Sequence, residues 1–159
     1  MTIHRRRPLE SVWDYPRPPR LEHDDRLILV RQGDITVAES TRSIRVLETS
    51  HPPVFYLAPD DIEMGLLSTN GHHTLCEFKG RADYWDLAGE TPIRRVAWSY
   101  PQPSPGFEPI AGMLAFYPSK VECLVDGERV QPQDSGFYGG WITAEIIGPF
   151  KGRPGTRAW

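Results

Sequence analysis

Gly71-His72-His73-Thr74-Leu75-Cys76-Glu77-Phe78-Lys79-Gly80-Arg81-Ala82-Asp83-Tyr84-Trp85 is the stretch on which the fold turns. The Lys79-Gly80 step splits it into two strands, Thr74 to Phe78 and Arg81 to Leu87. In the second, Ala82, Tyr84 and Asp86 share one face, and Asp83, Trp85 and Leu87 share the other. The same span gathers two His, a Cys, a Lys, a Tyr and a Trp. Such side chains ligate metals, attack electrophiles, hold anions and stack on rings.

The segments on either side also read as strands. Arg26 to Arg31 and Ile35 to Glu39 flank a Gln32-Gly33-Asp34 turn. Ile44 to Glu48 nearly alternates, and Val54 to Leu57 follows the proline-stiffened connection His51-Pro52-Pro53. Ile93 to Tyr100 sets Trp98 and Tyr100 two residues apart, and so on one face. Met113 to Tyr117 is almost continuously apolar, as in a strand buried on both sides. Asp126-Gly127 is a hairpin turn after Val121 to Val125. Helical turns are expected only at Pro59 to Met64 and at Pro109 to Gly112. The expected fold is therefore mainly β, a single domain of antiparallel sheets with one or two short helical turns.

Composition agrees. In 159 residues there are 14 Gly, 16 Pro, five Trp, six Tyr and six Phe, which opposes long helices and favours strands with packed rings. Residues 1–23 read as an extended Pro-rich arm, 24–131 as the core and 132–159 as a Gly/Pro/aromatic tail. Closely spaced prolines keep Val12 to Arg20 out of a helix and near polyproline II. Trp13, Tyr15 and the tail aromatics would be wasted in water. Arm and tail are expected on sheet surface, in a homodimer in preference to a single chain. Trp13-Asp14-Tyr15-Pro16-Arg17-Pro18 echoes Trp98-Ser99-Tyr100-Pro101-Gln102-Pro103, which suggests an arm lying beside Trp98.

The net charge of −3 argues against a nucleic-acid partner, since phosphate binders carry an excess of Lys and Arg. No apolar run is long enough to span a membrane, and nothing at the N-terminus reads as a signal peptide. Two cysteines are too few for a disulfide-stapled secreted domain, so a cytoplasmic location is expected. His72, His73 and Cys76 are the nearest approach to a metal site, but three ligands without a Cys-x-x-Cys motif make no closed zinc site. Neither a metal nor a cofactor is expected.

The candidate catalytic residues are Cys76, Lys79 and Glu48. Cys76 is nucleophilic if Lys79 or a His stabilises its thiolate, and otherwise a small buried apolar residue. Lys79 at a glycine-permitted turn can reach over a pocket to an anion. Lys79, Tyr84, Trp98, Tyr100, Tyr56 and Tyr117 are the candidate ligand-binding residues, lining a cleft between the Cys76–Lys79 loop and the Trp98–Tyr100 strand. Ordinary sheet packing is the competing account of each ring.

Cys76-Glu77-Phe78-Lys79-Gly80-Arg81-Ala82-Asp83-Tyr84-Trp85, with Ala97-Trp98-Ser99-Tyr100-Pro101 and Ile110 to Tyr117, resembles the bacterial and fungal domain of unknown function family 427. Leu47 to Tyr56 extends the likeness, which runs from about Arg26 to Val130. That family is also labelled nucleotidyltransferase-like. The resemblance implies a β-tent fold, similar to methionine sulfoxide reductase B, in which many relatives bind zinc through paired Cys-x-x-Cys motifs. Neither pair occurs here, so the zinc does not carry over. Where family members often show His-Cys-Pro-x-Lys, this chain has Leu75 and Glu77 beside Cys76. Three functions stand: a small-ligand-binding domain, with or without enzymatic activity; an interaction or structural module acting through arm and tail; and a nucleotidyltransferase, for which no Gly-Ser motif with paired Asp is present.

Overall fold

The computed structural model describes residues 7–76, 78–134, 137–152, 155–156 and 158–159. The chain is mainly β, with several antiparallel sheets and only single-turn 3-10 helices. Strands β1 (Glu10–Ser11) and β2 (Arg20–Asp24) belong to the arm. The core strands are β3 (Ile28–Gln32), β4 (Ile35–Ser40), β5 (Ser43–Leu47), β6 (Val54–Tyr56), β7 (Leu67–Cys76), β8 (Gly80–Leu87), β9 (Ile93–Ser99), β10 (Leu114–Phe116), β11 (Glu122–Val125) and β12 (Glu128–Arg129). After them come β13 (Gln131–Pro132), β14 (Trp141–Ile142) and β15 (Ile146–Ile147).

Three strands pair in the order β2-β5-β6, and four in the order β10-β9-β8-β7. Leu57 and Leu114 exchange main-chain hydrogen bonds of 2.8 and 2.9 Å, which joins the two sheets at one seam. The four-stranded sheet β12-β11-β3-β4 packs across them. Its hairpin turn at Asp126 and Gly127 has φ of 48° and 83°, the left-handed pair that a two-residue hairpin requires.

The alternation of side chains divides the joined sheets into two unlike faces. Phe55, Leu57, Val96, Leu114 and Phe116 face the four-stranded sheet and meet Ile28, Val30, Val37, Cys123 and Val125. Tyr56, Tyr84, Trp98, Tyr100 and Tyr117 belong to the opposite, aromatic face. Trp98 and Tyr100 thus share a face, as their spacing requires. Leu114–Phe116 is buried on both sides, as its apolar run implies. Cys123 is 1% exposed, and burial pushes its thiol pKa up, so it is an inert apolar residue.

The arm departs from its sequence reading. Ser11 Oγ accepts from the Trp13 N–H and caps a 3-10 turn at Val12–Asp14, so the chain is not extended throughout. A single such turn ends before Pro16 and so avoids the proline constraint. Beyond it, β2 pairs with β5 over five residues. The tail is also more ordered than its composition implies: β14 pairs with β13, and β15 runs parallel to β1. Arm and tail meet within one chain, where Val12, Tyr15, Leu47 and Ile146 form a small core. Trp13 lies edge-on to Trp159 at 5.1 Å, far from the role beside Trp98 that the repeated motif suggests.

One buried cation ties these parts together. Arg45, at the centre of β5, has a side chain only 1% exposed. Its guanidinium meets Glu10 of β1 at 2.9 Å, Glu22 of β2 at 2.5 Å and Asp24 of β2 at 3.5 Å. Asp24 also pairs with Arg26 at 2.8 Å, and Arg26 reaches Glu145 beside β15 at 2.7 Å. Burial opposes ionisation of Glu10 and Asp24, but the guanidinium partners outweigh it and hold both carboxyls below their ordinary range. Removing the cation would take the bonded guanidinium from Glu10 and Glu22, while Asp24 would keep Arg26. Arg45→Met is therefore expected to cost about 3–5 kcal/mol, read from the urea midpoint. A loss below about 1 kcal/mol, the scale of an exposed pair, would show that the network does not anchor the arm.

Candidate functional site

The aromatic face is not covered by a second sheet. Over it opens a cleft of ≈ 290 Å³. Tyr56, Tyr84, Trp98, Tyr100 and Tyr117 form its floor, each no more than 7% exposed. One wall is the β7–β8 turn, with Cys76, Phe78 and Lys79. The second is the β5–β6 connection, with Glu48, His51 and Pro52, and the third is the tail, with Gln133, Tyr138, Gly139 and Lys151. All eight residues singled out from the sequence, namely Glu48, Tyr56, Cys76, Lys79, Tyr84, Trp98, Tyr100 and Tyr117, line this one cavity.

The floor is a set of hydrogen-bonded rings. Trp98 Nε1–H donates to the Tyr56 hydroxyl at 3.2 Å, and the Trp98 ring lies 4.6 Å from that of Tyr117. The Tyr84 hydroxyl pairs with Thr74 Oγ1 at 2.8 Å, and the Tyr117 hydroxyl donates to the Phe137 carbonyl at 3.2 Å. Burial raises the pKa of Tyr56, Tyr100 and Tyr117; for Tyr100 the neighbouring Tyr56 and Cys76 add to it. These phenols therefore stay protonated and keep an O–H.

Gly80 sets the position of Lys79. Its φ of 103° is open to glycine, and the Ser104 N–H donates to the Lys79 carbonyl at 2.9 Å. The Lys79 side chain is then only 12% exposed, with Nζ 3.9 Å from Glu48 Oε1 and 5.9 Å from the Tyr100 ring centroid. Glu48 Oε2 lies 3.6 Å from Arg17 Nε and 3.7 Å from His51 Nδ1. None of these three contacts has hydrogen-bond length, so Glu48 holds its cations loosely.

Glu48 and His51 close a tight turn in which the His51 N–H donates to the Glu48 carbonyl at 3.0 Å and Ser50 has φ of 71°. His51 Nδ1 is 2.9 Å from the Thr49 carbonyl. Burial pushes the His51 pKa down against the pull of Glu48. Lys151 enters from the tail: its N–H donates to the Ser50 carbonyl at 2.8 Å, and its carbonyl accepts from Gln133 Nε2 at 2.5 Å.

His51, Gln133, Tyr138 and Lys151 were not among the sequence candidates. A Glu-x-x-His spacing ahead of Pro52-Pro53 is a signal for the first, since a four-residue turn brings its ends together. Nothing local marks Lys151, which reaches the cleft only through the fold. Conversely, His72 and His73 lie on β7 itself, exposed; His72 is 5.2 Å from the Tyr84 ring, and His73 pairs with Asp83 at 2.8 Å. Among the described residues no ion pair or hydrogen bond links Cys76 to Lys79 or to a His, and no three His, Cys, Asp or Glu side chains gather as metal ligands.

The tail reaches the cleft through two glycines. A Cβ on Gly139 would lie 2.5 Å from Trp98 Cη2, and one on Gly140 would lie 2.9 Å from the Pro52 carbonyl. Gly139→Ala must push the tail off Trp98 or tilt the indole. The expected cost is about 1–3 kcal/mol with a change in tryptophan emission. An unchanged melting temperature and spectrum would mean that the tail is not seated on Trp98.

The model of the family described as Domain of unknown function (DUF427), labelled NTP_transf_9, matches residues 20–127. That span holds β2 to β11 and the floor and two walls of the cleft, while the tail wall lies outside it. No curated protein matches the chain. A family model that covers more than half of the chain, and β2 to β11 of its sheets, identifies this protein as a member of the DUF427 family.

Proposed function

We propose that the protein binds a small planar organic anion in the aromatic cleft. The observation that carries this reading is the Lys79 ammonium, 5.9 Å from the Tyr100 ring centroid, over a floor of protonated tyrosines and one tryptophan, with Lys151 in the tail wall donating to the Trp159 carbonyl at 3.3 Å. Rings supply flat apolar contact, while the Lys79 ammonium and the Tyr56 hydroxyl, which accepts from Trp98, supply donors to a carboxylate or carbonyl. The volume of ≈ 290 Å³ lies at the small end of ligand pockets and suits a single-ring molecule. A nucleoside triphosphate would need more room and more cations, so the nucleotidyl-transfer label gains no support here. The interaction-module reading is also less favoured, because the arm and tail aromatics are largely engaged with their own core.

Benzoate is a suitable probe, titrated calorimetrically. Lys79→Met should weaken its binding by about tenfold, roughly 1.4 kcal/mol. Stability should change little, because at 3.9 Å the Lys79–Glu48 pair lacks hydrogen-bond length and, like a loosely held ion pair, is worth about 0–1 kcal/mol. Unaltered affinity, or a stability loss above about 2 kcal/mol, would make Lys79 a structural cation and remove the basis for this function.

A further inference from the structure

His51 carries a feature that the anion reading does not use. A carbonyl oxygen only accepts, so Nδ1, 2.9 Å from the Thr49 carbonyl, bears a proton. Burial keeps the ring neutral, which leaves Nε2 with a lone pair. The imidazole lines the cleft, is 12% exposed and lies edge-on to Tyr138 at 5.1 Å. Among the described residues no donor meets Nε2.

Donors otherwise dominate the cleft: Lys79, Lys151 and the phenols against Glu48 and this one nitrogen. A ligand ammonium could only donate, and both lysines would repel it. A hydroxyl can donate to the imidazole and accept from a phenol or ammonium. Lys79 Nζ lies 3.9 Å from Glu48 Oε1 and His51 Nδ1 lies 3.7 Å from Glu48 Oε2, so both side chains border the same carboxylate at the cleft wall.

We propose that His51 Nε2 accepts a hydrogen bond from the ligand, and that the ligand is a hydroxylated aromatic carboxylate, with its carboxylate toward Lys79 and its hydroxyl toward His51. This rests on the reading of the cleft as an anion site. The groups that set the charge of His51 are Glu48, which favours protonation, and Lys151 and Arg17, which oppose it.

The test compares benzoate with 3- and 4-hydroxybenzoate and their methoxy counterparts, by calorimetry on the full chain. At pH 7.5 one hydroxybenzoate should bind at least tenfold tighter than benzoate and its own methoxy ether. That preference should shrink to within twofold in His51→Phe. The preference over the methoxy ether should also fade in the unaltered protein as the pH drops below 6.5, the ordinary histidine value, because imidazolium Nε2 donates and an ether oxygen accepts as a hydroxyl does. Should His51→Phe fail to fold, nitrogen NMR of the unaltered protein decides: the Nε2 resonance must be that of an unprotonated nitrogen and must shift with hydroxybenzoate more than with benzoate. Equal binding of all probes, or a protonated Nε2 at pH 7.5, overturns the proposal and leaves the anion site standing. No binding of any probe overturns both.

Discussion

The buried guanidinium of Arg45 is the constraint on which the layout depends. A charge placed 1% exposed inside a β-sheet is tolerable only with carboxylates around it. Here these come from Glu10, Glu22 and Asp24, so the cation draws β1 and β2 onto β5. The pairing of Asp24 with Arg26, and of Arg26 with Glu145, then carries the same requirement to the tail. Three stretches far apart in sequence are held in one register by charge neutralisation, with the small Val12–Tyr15–Leu47–Ile146 core beneath. Arm and tail are structural parts of the domain for this reason.

The second organising fact is the unequal covering of the joined sheets. Their aliphatic face is closed by β12-β11-β3-β4. Their aromatic face is bordered only by turns and by the tail, so a cavity survives there. Rings suit such a place because they bury a large area while retaining an O–H or N–H at the edge. The two faces differ only by the phase of a period of two: Tyr56 lies between Phe55 and Leu57, and Ala115 between Leu114 and Phe116.

That phase is why much of the floor was legible from sequence. Trp98 and Tyr100 had to share a face, as did Ala82 and Tyr84, and Lys79 before Gly80 had to project from a turn. The fold class followed from the same alternation and from the turn residues. What was not legible depends on long-range closure. His51 reads as part of a stiff Pro-Pro connection until the Ser50 turn brings it beside Glu48. Lys151 and Gln133 carry no periodic signal, and they reach the cleft only because the Gly139-Gly140 backbone fits against Trp98 and Pro52. The 3-10 turn at Val12–Asp14 was missed because proline composition speaks about runs of helix, not about one capped turn.

The tail wall also bears on how the protein is made. Translation delivers the sheet framework first, and residues as far as 127 contain the floor with the two earlier walls. Gly139 and Lys151 emerge later. Until they do, the aromatic face is bare on one side. During that interval Trp98 and Tyr117 present apolar surface of the kind that holdase chaperones grip. Completion of the cleft and concealment of that surface are then the same event, so a ribosome stalled before residue 139 would release a species with an open cleft and an adhesive face.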